Sequence, residues 1–160
     1  MAGLKRGIGD NNTGMRNLVF LCIGTPKIVG DSLGPRVGDL LRSRGVGAYV
    51  YGTMARPITS LNIEQYARMV RRYHAGDVVV VIDATLGKSK DIGRIKLSEQ
   101  GIKPGGAFHP ERTRVGDIGL MAIVGEADSD RLLELRTRDE RFVERMAQRT
   151  ADLAMRAILA

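Results

Sequence analysis

DVVVVIDA, residues 77–84, decides the fold. Its middle is a run of β-branched residues with no polar interruption, the pattern of a strand buried on both faces. Such strands belong to parallel sheets covered by helices. Upstream, LVFLCI (18–23) is a second short apolar run, and AYVYGT (48–53) a third. Between them, Leu33, Val37, Leu40 and Leu41 follow helical spacing up to Arg44, and Gly45 closes that helix. Ile63, Tyr66, Ala67 and Val70 mark another helix from Leu61 to His74, stopped by Gly76. The first half is therefore β-α-β-α-β, with right-handed crossovers and a central, mostly parallel sheet in a three-layer α/β sandwich.

Beyond residue 84 the pattern changes. Gly93–Leu97 and the neighbourhood of Ala107 read as short strands in a glycine-rich excursion. GLMAIVG (119–125) is a further core strand. Asp128 to Arg136 is a candidate helix, and Arg141 to Leu159 a longer one with Phe142, Met146, Leu153, Ala154 and Ile158 on its apolar stripe. Residues 1–17 read as a flexible basic tail before one domain spanning 18–160.

Composition narrows the function classes. The chain of 160 residues is 43% hydrophobic but 4% aromatic with no Trp, so aliphatic side chains fill the core. The net charge of +7 comes from arginines spread along helices, without aromatic side chains to stack bases, so no direct nucleic-acid binding is expected. No run is long enough to span a membrane, and the N-terminal stretch lacks the apolar core of a signal peptide, so a cytoplasmic protein is expected. Cys22, alone and inside an apolar run, is expected to be a buried, inert thiol.

The chemistry concentrates at strand ends. In open parallel sheets, sites form beyond the carboxyl ends of the strands, where the strand order reverses. With an order beginning 2-1-3, Asp31 in GTPKIVGDSLGP (24–35) follows the first strand and Asp83 ends the third, on the same rim. The loop is not a phosphate cradle. Five residues separate Gly24 from Gly30, one more than the Walker pattern, and an acid stands where that pattern has lysine. Asp31 by itself is equally suited to capping the following helix, a task Ser32 could perform alone. Two carboxylates in one crevice can share a proton and work as base and acid, or hold a metal with a third ligand. His74, closing a basic helix, reads as a surface residue, and His109, in a glycine-rich loop, as an exposed one that could serve as that ligand. Asp117 precedes the strand 119–125 and is expected to bond structurally, away from the rim.

CIGTPKIVGDSLGPRVG (22–38), VYGTMARPITSLNIEQ (50–65), VIDATLGKSKDIGRIKL (81–97), GIKPGGAF (101–108) and VGDIGLMAIVG (115–125) occur in one order. Together they resemble YyaC-type sporulation proteins and, more distantly, the germination protease of spore-forming bacteria. The resemblance implies the fold of hydrogenase-maturation proteases, with Asp31 and Asp83 as catalytic residues of an aspartic endopeptidase. Gly30, Ser32, Thr85, Gly105 and Gly106 would shape the substrate site, with Thr85 tuning the hydrogen bonding of Asp83. It further implies peptide substrates such as small acid-soluble spore proteins, a location extending to the forespore, and no cofactor. Two alternatives stay open. One is a non-catalytic peptide- or partner-binding protein, with homo-oligomerisation undecided. The other is a metal-dependent endopeptidase with nickel or another divalent ion at Asp31, Asp83 and His109.

Overall fold

The structure, a computed structural model, describes residues 16–104, 113–128 and 130–159. Strand β1 (Leu18–Cys22) leads through a short 3-10 turn (Val29–Ser32) into helix α1 (Leu33–Ser43). Then come β2 (Tyr49–Tyr51), α2 (Ile63–Tyr73), β3 (Val78–Gly87), β4 (Ile95–Ser98), β5 (Ile118–Glu126), α3 (Arg131–Arg136) and α4 (Glu140–Leu159). The five-stranded sheet has the order β2-β1-β3-β5-β4. All neighbours are parallel except β4, which runs antiparallel to β5. The order reverses between β1 and β3, as expected.

Strand alternation divides the core. Phe20, Cys22, Val80, Ile82, Leu120 and Ala122 face the layer that contains Val37 and Leu41 of α1 and Val143, Met146 and Ala147 of α4. Val19, Leu21, Val79 and Val81 pack with Ile63, Ala67 and Val70 of α2 on the other side. This is the three-layer sandwich. Helix α1 lies almost backbone to backbone on the end of β1, because a Cβ on Gly34 would stand 2.0 Å from the carbonyl oxygen of Ile23. Cys22 is fully buried, and burial pushes its thiol up, so it is an inert core residue.

Four local readings change. Helix α3 begins at Arg131 rather than Asp128, because Asp130 caps it by accepting from the N–H of Leu133 at 3.0 Å. The buried row of α4 runs through Val143, Met146, Ala147, Thr150, Ala151 and Ala154; Phe142 and Leu153 stand beside it, partly buried. Strand β3 does not end at Asp83, since pairing with β5 carries it to Gly87, past a register shift between Thr85 and Leu86. His74 is not a surface residue; it is 7% exposed. Its Nδ1 pairs with Asp77 Oδ2 at 2.7 Å and its Nε2 with the Tyr51 hydroxyl at 2.9 Å.

Asp77 also accepts from the N–H of Asn17 at 3.1 Å, so this cluster ties the approach to β1, the edge strand β2 and the start of β3 together. At the same end of the sheet, Asp117 accepts from the N–H of Val79 at 2.8 Å, a structural bond at the amino-terminal end.

Candidate active site

A cavity of about 780 Å³ opens at the carboxyl end of the sheet. Three segments wall it: the loop Gly24–Ile28 with Asp31, the connection between β2 and α2 from Met54 to Leu61, and Arg131, Leu132 and Leu135 of α3. Asp83 reaches it from β3. The β2–α2 connection is drawn in by a parallel bridge between Ile23 and Ile58, and Gly24 N–H donates to the Ile58 carbonyl at 2.9 Å. Most of the lining is apolar, the usual character of a site that excludes water around a few polar groups.

Asp31 does not cap α1. Its Oδ2 accepts from the N–H of Thr25 at 3.0 Å, which folds the carboxylate back over the loop that precedes it. Ser32 does not cap by its side chain either. Its buried hydroxyl donates to the Val29 carbonyl at 2.7 Å and accepts from Arg36 Nε at 2.9 Å. Arg36 then forks to Glu140 and Glu144, each at 2.9 Å, bracing the turn that carries Asp31 against α4.

Gly30 and Ser32 thus support the turn rather than line the cavity. A Cβ on Gly30 would lie 2.8 Å from the Leu135 carbonyl, so glycine here lets α3 close against the Asp31 turn. Thr85 is likewise outside the cavity lining and donates to the Leu86 carbonyl at 3.4 Å. Gly105, Gly106 and His109 lie outside the described residues.

Both carboxylates are partly buried, and neither has an ordinary acidity. Burial raises the pKa of Asp31, against the opposing effects of the Thr25 N–H and the positive charge of Arg131. Burial also raises Asp83, well above the usual carboxylate range, and the negative charge of Asp31 adds to it. The Ala84 N–H, 2.8 Å from Oδ1, and Arg131 pull the other way. The two aspartates therefore line one cavity, and the charge of Asp31 acts on Asp83.

Among the described residues no three His, Cys, Asp or Glu side chains gather into a metal-holding set. The pair itself offers two carboxylate ligands. A nickel or other divalent site would need its further donors from outside the described residues, and nickel favours the imidazole nitrogen that two carboxylates do not provide.

Arg131 is the functional candidate that sequence reasoning missed. It is one of 25 lysines and arginines, in a segment without a distinguishing motif.

The sheet order and the rim cavity define an α/β protein with the fold of hydrogenase-maturation proteases. The [NiFe] hydrogenase maturation protease HycI of Thermococcus kodakarensis superposes with a TM-score of 0.57 at 16% identity, over 94% of this chain and 97% of that one. HybD from Thermococcus kodakarensis, of the same description, superposes with a TM-score of 0.51 at 14% identity, over 89% of this chain and 98% of that one. At such identities the likeness concerns the fold alone.

The chain belongs to the family described as a protein of unknown function, DUF1256, whose model matches residues 4–152. It is 33% identical to YyaC of Bacillus subtilis (strain 168) over 108 residues. That match takes in 67% of this chain and spans about half, 53%, of the length of YyaC. Among the described residues no helix is long and apolar enough to cross a membrane.

Proposed function

We propose that this protein is an aspartate-dependent peptidase of sporulation or spore germination, acting in the cytoplasm of the forming or germinating spore. One observation carries the reading: two partly buried carboxylates, both with raised pKa, face one cavity at the point where the sheet order reverses. Membership of the YyaC-containing family and the protease-like fold support it.

In this reading the two carboxylates take different roles. Asp31 keeps its charge, because the Thr25 N–H stabilises the ionised form. Asp83 keeps the proton, because it is pushed up further, by burial and by that charge. Asp31 takes a proton from water as the water oxygen attacks the peptide carbonyl. Asp83 donates its proton to the departing nitrogen as the C–N bond breaks. Turnover needs Asp31 ionised and Asp83 protonated. The rate therefore falls below the raised pKa of Asp31 and again above the higher pKa of Asp83, a bell whose limbs belong to the pair.

The test uses small acid-soluble spore proteins, the substrate class that the resemblance implies. Cleavage by the wild type is expected to fall about 10²–10⁴-fold in Asp31→Asn and in Asp83→Asn, with cooperative folding kept in both. Full cleavage by both variants overturns the reading. Binding without cleavage by the wild type replaces it with a non-catalytic, partner-binding role for the same rim.

A further inference from the structure

We infer that Arg131 is a third catalytic residue, whose guanidinium binds the carbonyl oxygen of the scissile peptide and holds the negative charge that develops there. This rests on the peptidase reading above. Arg131 lines the cavity that contains Asp31 and Asp83, and its charge acts on both carboxylates. It therefore shares with both carboxylates the cavity in which, under that reading, the scissile bond is held.

A guanidinium does not deprotonate in proteins, so it cannot serve as acid or base here. Its remaining chemistry is to bind oxygen that carries negative charge. Among the described residues the other cation on the cavity wall, Lys27, is on an exposed loop, whereas Arg131 is half-buried at the start of a braced helix.

The bracing is specific. Asp130 caps α3, and Leu135 is buried against Gly30 in the Asp31 turn. Glu134 is buried too and forms an ion pair with Arg138. The guanidinium and the Asp31 carboxylate are thus carried on two elements in direct backbone contact.

Charge balance explains why the site would hold a cation. At rest the pair bears one proton and one negative charge. When water adds, its oxygen bonds to the carbonyl carbon, its proton passes to Asp31, and the carbonyl π electrons move onto the oxygen. The negative charge has then left the carboxylate for the substrate, with no change in total. When the C–N bond breaks, the oxygen re-forms its double bond and Asp83 gives its proton to nitrogen. The pair again holds one proton, now on Asp31, and passes it back to Asp83 or to solvent exchange before the next cycle. A cation near both ends of that displacement compensates the charge before and after it moves, without reorganisation.

The test compares Arg131→Ala and Arg131→Lys with the wild type on a small acid-soluble spore protein. Arg131→Ala is expected to lower kcat about 10²–10³-fold while KM stays within about threefold, the signature of an interaction made in the transition state. Guanidinium chloride at tens of millimolar is expected to restore about tenfold of the loss in Arg131→Ala, and sodium chloride at equal ionic strength none of it. Arg131→Lys keeps the charge but loses the fork and falls between. Turnover by Arg131→Ala within threefold of wild type, while the Asp variants remain inactive, overturns the role of Arg131 and leaves the peptidase reading standing. So does a rise in KM alone, or a loss that guanidinium does not rescue and that tracks a lowered thermal transition. Absence of cleavage by the wild type overturns both.

Discussion

Asp77 stands just before β3 and Asp83 within it, and the fold treats them in opposite ways. Asp77, just before the strand, is held below the usual carboxylate range by its bond to His74, with the Asn17 N–H assisting. Asp83, near the carboxyl end, is pushed well above that range by burial and by Asp31. One acid is supplied with donors and stabilises the fold as an anion. The other shares its surroundings with a like charge. A carboxylate in a well-satisfied network does structural work, and one buried beside a like charge is a candidate for proton transfer.

The largest expected effect would break this contrast outright. Asp83→Asn should remove about 10²–10⁴-fold of cleavage, while Asp77→Ala leaves kcat at the wild-type value in the same assay. Equal losses in both would mean that the two ends are not functionally distinct.

Next comes stability at neutral pH. Asp77→Ala removes a charged partner from a part-buried network and should cost about 1.5–3 kcal/mol in urea unfolding. Because the folded pKa of Asp77 is depressed, its contribution is present above the unfolded value and lost as pH falls through the folded value. The variant and the wild type should converge in acid.

Asp83 should behave with the opposite sign. Its folded pKa is raised, so its contribution is fully present below the unfolded value and is lost as pH rises through the folded value. Asp83→Asn should thus unfold at a higher temperature than the wild type at neutral pH, by about 2–4 °C for each kcal/mol regained, with the difference vanishing in acid. An active-site substitution that stabilises is the expected mark of a strained charge.

The smallest effect concerns Asp117, whose bond to Val79 can be removed without touching the rim. Asp117→Ala should cost about 1 kcal/mol by the same unfolding measurement and leave turnover unaffected.

The first three strands and two helices were legible because their signals are local: unbroken β-branched runs, and apolar residues at helical spacing. The pairing of Asp31 with Asp83 was legible from topology, since any parallel sheet of this order brings those strand ends together. What was hidden depends on distant partners. Residues Thr85 to Gly87 lie beyond the unbroken apolar run and become strand because β5 offers a ladder. His74 closes an arginine-rich helix and looks solvated, but Tyr51 and Asp77 enclose it. Ser32 matches the preference for helix caps, but its hydroxyl turns back to Val29. Arg131 carries no local mark, because its placement follows from the contact of Gly30 with Leu135.

The extension of β3 past Asp83 also divides the labour of motion. Asp83 sits within the ladder opposite Met121, with pairing that continues to Gly87, while the preceding Ile82 carbonyl accepts from Ile23. Asp31 stands on a single 3-10 turn reached through a loop held by a few bonds. Amide hydrogens around Asp83 should therefore exchange only with global opening, and those from Thr25 to Asp31 through smaller, local openings. One half of the pair is expected to open only with the whole sheet and the other sooner. Under the proposed function, adjustment on meeting a peptide is expected at the Asp31 turn and at α3, which rests on it, while the sheet holds Asp83.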